Sequence, residues 1–205
     1  MKFITELQGI GINKKCIIIG GGMSVKEFEF NKLPDDFIRI SVNNSSADLT
    51  ARIDYSIYSD IPAVRVMEKL NNLGKVIGLY NSRKAGFTDY TFTYNQIMRG
   101  GTIVNDNDNA GYKALVIAKT IMKFDKIFLV GFDFTTAIID GVKVSHHYGD
   151  TVGPNEKYFD DIQLKHHFGR LKNMIIEFNR LTDKSNIYNC NRDSLLKLFP
   201  VAMPY

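Results

Sequence analysis

The sequence predicts an α/β chain with a Rossmann-like, mostly parallel open sheet, helices on both faces and a short lid loop. Three observations lead there. Short apolar, β-branched runs bounded by turn residues recur along the chain, as strands buried on both faces require. Segments with apolar residues at helical spacing alternate with them, which is the pattern of an open sheet covered by its own crossovers. The first apolar run also passes directly into three glycines, Gly20-Gly21-Gly22. Such a strand–turn junction lets the backbone approach a ligand closely and offers N–H groups to an anion.

Residues 15–19 are the first strand, and Ser24 is placed to cap a helical turn over 25–30. A second strand, 37–42, ends at Asn43-Asn44-Ser45-Ser46, and a third, 55–58, runs into Ser59-Asp60. Residues 63–72 read as helix and 75–80 as strand. The stretch 81–103 is less regular, with 91–94 either an edge strand or part of an irregular crossover. Asn109 precedes an apolar helix over 110–122, with Leu115, Ala118 and Ile121 on one face. Residues 127–130 form a strand ending in Gly131-Phe132-Asp133-Phe134, followed by a polar, histidine-containing loop. A long helix over 162–181 carries Leu164, Phe168, Leu171, Ile175 and Phe178 at helical spacing. A last strand at 187–189 and a closing helical turn at 194–198 complete the chain. Without an internal repeat or linker, residues 1–205 read as a single nucleotide-binding domain, with 135–160 as its candidate lid.

Composition narrows the function classes. At 44% hydrophobic and 23% charged residues, the chain is neither disordered nor a membrane protein. No apolar run approaches the roughly 20 residues that span a bilayer, and the N-terminus lacks a signal-peptide core. The expected location is therefore cytoplasmic, without a transmembrane segment. A net charge of +4 comes from dispersed lysines rather than a clustered basic face, so nucleic acid is not an expected partner. Two cysteines, Cys16 and Cys190, make neither a disulfide scaffold nor a metal cluster. Exposed edge strands would make a homo-oligomer unsurprising.

Ligands of such sheets lie outside the carboxyl ends of the strands, near a switch in strand order. The residues at those ends are small and polar: Gly20, Gly21, Gly22 and Ser24; Asn43 and Asn44; Asn109, Ala110 and Gly111; Asp133. These are the candidate nucleotide-binding residues, with Tyr148 from the lid. Asp106-Asn107-Asp108 imitates a metal-holding Asp-x-Asp, but helix capping accounts for it, and no metal site is assigned. All four histidines fall between His146 and His167. His146 and His147, in the lid, are the candidate general bases, because histidine exchanges a proton near neutral pH. No carboxylate completes a zinc spacing around them.

Several motifs in order resemble those of the small bacterial sialyltransferases. These are Gly20-Gly21-Gly22-Met23-Ser24, then Leu33-Pro34-Asp35-Asp36-Phe37, then Val42-Asn43-Asn44. Asn109-Ala110-Gly111-Tyr112, the run from Asp125 through Gly131-Phe132-Asp133-Phe134, and Asn191-Arg192-Asp193-Ser194-Leu195-Leu196 continue the series. The motility-associated-factor (Maf) glycosyltransferases share the same plan. Residues 47–105 lie outside the resemblance, and Gly21, Met23 and Ala110 depart from the family's residues. What the resemblance implies is a transferase that moves a sialic-acid-like sugar from a CMP-linked donor to the hydroxyl of a glycan or protein acceptor. It implies a histidine base and no metal cofactor.

Two alternatives stand beside it. A run over 146–150 is similar to one in the 6-hydroxymethylpterin diphosphokinases, where Asp60, Asp106 and Asp133 would hold magnesium while ATP donates diphosphate. The third reading is a non-catalytic nucleotide-binding or sequestering protein.

Overall fold

The computed structural model describes residues 2–59, 61–79, 86–98, 102–105, 108–139, 142–144, 146–147, 151–153, 156–157 and 161–205. Its frame is one eight-stranded, all-parallel sheet. In chain order the strands are β1 (Lys2–Phe3), β2 (Lys15–Ile19), β3 (Ile38–Val42), β4 (Tyr55–Tyr58), β5 (Lys75–Leu79), β6 (Tyr90–Phe92), β7 (Lys126–Val130) and β12 (Ile187–Asn189). Between β7 and β12 lie two short antiparallel pairs, β8 (Ala137–Ile139) with β9 (Val142–Val144) and β10 (Thr151–Gly153) with β11 (Glu156–Lys157). The spatial order in the main sheet is β1-β6-β5-β4-β3-β2-β7-β12.

The helices are α1 (Ile61–Met67), α2 (Tyr94–Ile97), α3 (Ala110–Val116) and α4 (Asp161–Asn179). Strand alternation explains how they share the two faces. Cys16 and Ile18 of β2, Ile40 and Val42 of β3, Ile57 of β4 and Ile77 of β5 point to one side. There they join α3 and the end of α4 in one continuous core. On the other side the core is split. Ile17, Ile19, Phe128 and Val130 pack with Val25, Phe28 and Leu33, while Tyr58 and Val76 pack with Ala63 and Met67 of α1. Between these clusters runs a buried polar seam of Arg39, Ser41 and Ser56. The Ser41 and Ser56 hydroxyls share a hydrogen bond of 2.6 Å, and Ser56 Oγ donates to the Leu73 carbonyl.

The open, mostly parallel sheet with helices on both faces is as expected, and four local readings change. Residues 91–94 do not form an edge strand. β6 is internal, because the two residues of β1 pair beyond it (Lys2 with Tyr90, Phe3 with Thr91); a two-residue strand carries no readable periodicity. The helix expected over 110–122 is α-helical only to Val116 and π-helical over Ile117–Met122. Within it the Thr120 hydroxyl donates back to the Val116 carbonyl at 2.8 Å, a bond that loosens helical winding. The helix expected over 63–72 is the seven-residue α1. Residues 194–198 are turns rather than helix. There Ser194 Oγ donates to the Phe132 carbonyl at 2.6 Å and accepts the Leu196 N–H, so local side-chain bonds replace the helical ladder.

Both cysteines are free thiols. Burial pushes Cys16 well above its ordinary value and Cys190 up to about 12, so each is an inert packing group.

Candidate functional site

The chain builds outward from β2 through β3, β4, β5 and β6, then returns to lay β7 on the other side of β2. The switch in strand order therefore lies at the carboxyl ends of β2 and β7, where the glycine loop meets the segment Gly131-Phe132-Asp133. Gly20 N donates to the Val130 carbonyl and Gly22 N to the Gly131 carbonyl, both at 2.8 Å. Two of the three glycine amides thus extend the β2–β7 pairing instead of pointing at a ligand, as the sequence alone suggested. The residues must still be glycine. A Cβ on Gly20 would stand 2.5 Å from the Gly131 oxygen, and one on Gly22 would stand 2.5 Å from Asp133 Oδ2. What the glycines permit is close contact between two strand ends.

Asp133, only 4% exposed, ties these ends together. Its Oδ2 accepts the Ser24 N–H at 2.8 Å, and its Oδ1 accepts the Ser24 hydroxyl at 2.5 Å and the Asn191 amide at 2.8 Å. Ser24 Oγ in turn accepts the Gly131 N–H at 3.2 Å. Ser24 is therefore not a helix cap. The capping position of the 3₁₀ helix Met23–Glu27 belongs to Gly22, and the serine hydroxyl braces Asp133. Asn191 stands in the closing motif but is not among the sequence-selected site residues, because only the pairing of β12 beside β7 brings it here.

The second wall is the start of α3. Asn109 is its N-cap, with Oδ1 accepting the Gly111 N–H at 2.7 Å. The Asn109 N–H donates to Glu177 Oε2 of α4 at 2.6 Å. Burial raises the Glu177 pKa against that favourable bond. One residue earlier, Asp108 pairs with Arg180 at 2.5 Å, and the guanidinium lies 5.1 Å from the Tyr112 ring centroid. The end of α4 thereby fixes the entrance of α3. Asp60, Asp106 and Tyr148 lie outside the described residues.

The sequence-selected residues largely converge. The glycine loop, Asn43, Asn109, Ala110, Gly111, Asp133 and His146 line one pocket of about 100 Å³. Leu171 and Met174 of α4 close its far side. Asn43 takes the left-handed conformation (φ 51°), and its N–H donates to the Ile57 carbonyl at 2.8 Å. Ser24, Asn44 and His147 are not in the wall. Asn44 is fully buried, and neither of its amide atoms has a partner among the described residues. His166 and His167 fall within α4.

His147 sits behind the glycine loop and holds it. Its N–H donates to the Gly21 carbonyl at 2.8 Å, and its Nε2 lies 3.1 Å from the Ser45 carbonyl, so that nitrogen carries the ring proton. Ser45 Oγ accepts the Val42 N–H and donates to the Ile19 carbonyl, which stitches the ends of β2 and β3 to the same segment. Burial lowers the His147 pKa from 6.5 to about 4, the Ser45 bond opposing the shift only in part.

A depressed histidine pKa favours folding above pH 6.5, and the contribution is lost as pH falls toward 4. It amounts to at most about 3 kcal/mol. Urea denaturation at pH 7.5 and pH 4.5 should therefore show a larger acid-induced loss in the wild type than in His147→Gln. Equal losses would remove this histidine from the acid response.

No protein-family model and no curated protein matches the sequence; solved structures do. Monomeric CstII superposes with a TM-score of 0.56 at 19% identity, covering 93% of this chain and 87% of that one. CstII with a trisaccharide acceptor and CMP gives 0.54 at 19% identity, with the same coverage. An α-2,3-sialyltransferase from Campylobacter jejuni in apo form gives 0.53 at 17% identity, covering 99% and 85%. The chain has the sialyltransferase fold.

The last of these superpositions covers 99% of this chain, so the likeness extends into 47–105, where no sequence motif matched. No described helix is long and apolar enough to cross a membrane. Among the described residues, no three His, Cys, Asp or Glu side chains group to hold a metal.

Proposed function

We propose that this protein is a sialyltransferase-like glycosyltransferase that takes a CMP-linked sugar donor and an acceptor hydroxyl on a glycan or protein. The observation that carries this reading is the meeting of the glycine loop, Asn43, the Asn109 cap and His146 in one pocket at the strand-order switch. The sialyltransferase fold, one of whose structures contains CMP and a trisaccharide acceptor, supports it. The glycine loop and Gly111 contribute backbone to the pocket lining, and Asn43 offers both donor and acceptor atoms.

In the reaction the acceptor oxygen bonds to the anomeric carbon as the bond from that carbon to the CMP phosphate oxygen breaks. The electron pair leaves with the phosphate, and the hydroxyl proton passes to a base. His146 takes that role because it lines the pocket. His147 is a positioning residue, with its Nε2–H committed to the Ser45 carbonyl. The pocket, about 100 Å³, is smaller than the ~300–1,000 Å³ of small-molecule sites. Donor entry therefore requires this pocket to widen.

The geometry speaks against the magnesium–ATP alternative at one of its three aspartates, because both Asp133 oxygens are taken by Ser24 and Asn191. Thermal unfolding with CMP, CTP, UDP, ADP and ATP, each with and without magnesium, tests the choice. At a hundredfold excess over Kd, CMP should raise Tm by about 5–10 °C without magnesium. A rise confined to magnesium–ATP would replace the transferase with the diphosphokinase. Tight CMP binding without turnover on any acceptor would leave a sequestering protein.

A further inference from the structure

On the sheet face away from α3, the crossovers from β2 to β3 and from β3 to β4 leave a groove of about 740 Å³. That volume lies within the ~300–1,000 Å³ typical of small-molecule sites. The polar seam that divides the core on this face reaches the groove at Arg39 of β3. Arg39 is 6% exposed, its buried Nε has no hydrogen-bond partner, and its guanidinium pairs with no carboxylate among the described residues.

The other charges around the groove are differently disposed. Arg52 donates to the Asp35 and Phe37 carbonyls at 3.0 and 3.2 Å and pairs with Asp54 at 3.1 Å. Asp54 also accepts the backbone N–H of Arg39 at 2.8 Å, without pairing with its side chain. Lys26 is exposed on the rim. Asp35 and Asp48 line the groove too, so its cations Lys26, Arg39 and Arg52 outnumber its carboxylates. A buried cation without a partner is unfavourable unless something completes it.

We propose that this groove is a second binding site, for a small organic anion whose carboxylate or phosphate is held by the Arg39 guanidinium. The planar fork of arginine matches either group with two parallel hydrogen bonds. Val25, Phe28 and Leu49 provide apolar walls for a ring-sized body. His147 borders the groove and bonds the backbone of the glycine loop, which places the second site directly behind the first. The inference holds whether or not the donor is CMP-linked.

Isothermal titration of the full chain with glucose 6-phosphate, glucuronate and neutral glucose tests it. At least one of the two anions binds the wild type and glucose does not, and the anion that binds assigns the head group. Arg39→Gln weakens that binding by about tenfold or more. Lys26→Ala, on the exposed rim, weakens it by about threefold. CMP, itself a phosphate with a ring-sized body, is titrated in parallel: a binding step that both substitutions leave unchanged reports the first pocket, which separates failure here from failure of the transferase reading. No binding of either anion to the wild type, or wild-type affinity in Arg39→Gln, overturns the site. If Arg39→Gln does not fold, wild-type affinity in Lys26→Ala overturns it.

Discussion

His146→Ala should lower turnover with a CMP-linked donor by about 10²–10⁴-fold, the usual contribution of a positioned general base, while CMP affinity changes by no more than about twofold. In the proposed reaction the base takes the acceptor hydroxyl proton and does not touch the nucleotide, so the two readouts separate. His146 lines the same pocket as the glycine loop and the Asn109 cap, where the proposed reaction brings that hydroxyl to the anomeric carbon. His147→Ala should behave differently. It removes the ring bond to the Ser45 carbonyl and lowers stability before it affects the chemical step. Steady-state kinetics with equilibrium CMP titration decide the matter, and unchanged kcat in His146→Ala would move the base elsewhere.

The largest effect on stability is expected at Asp133. Asp133→Ala removes the shared acceptor of the Ser24 N–H, the Ser24 hydroxyl and the Asn191 amide, and hydrogen bonds to a charged group contribute about 1.5–3 kcal/mol each. These three form one network and are not additive, so the expected loss is about 3–5 kcal/mol. That is a large part of the 5–15 kcal/mol typical of a domain. Asp133→Asn preserves the shape but has one acceptor oxygen for donors that approach both, so it should lose less, about 1–3 kcal/mol. Urea denaturation at pH 7.5 measures both. An Asp133→Ala variant within about 1 kcal/mol of wild type would mean that other contacts hold the β2 and β7 ends together.

Gly20, Gly21, Gly22, Asn43 and Asp133 are selectable because strand ends can be read from the apolar runs before them, Asn109, Ala110 and Gly111 because they open an apolar helix, and His146 for its titrating group; all line one pocket. Their individual tasks are not selectable. Ser24 reads as a cap from its place after a glycine turn, yet its hydroxyl reaches Asp133, 109 positions away. Nothing local announces the site tasks of Asn191 and Glu177, since each acquires its partner only when β12 and α4 dock. His146 and His147 are neighbours in the chain with the same titrating group, and adjacent side chains face different surroundings. One lines the pocket, and the other is buried behind the loop.

Local chemistry alone determined the alternation of strands and helices, the glycine junction after β2 and the clustering of small polar residues at strand ends. Each depends on periodicity or backbone freedom within a few residues, which a sequence displays directly. Strand order, the internal position of β6, the clamp around Asp133 and the burial of Arg39 were decided only by tertiary structure. They depend on which distant segments become neighbours, and burial and pairing are properties of neighbours rather than of residues.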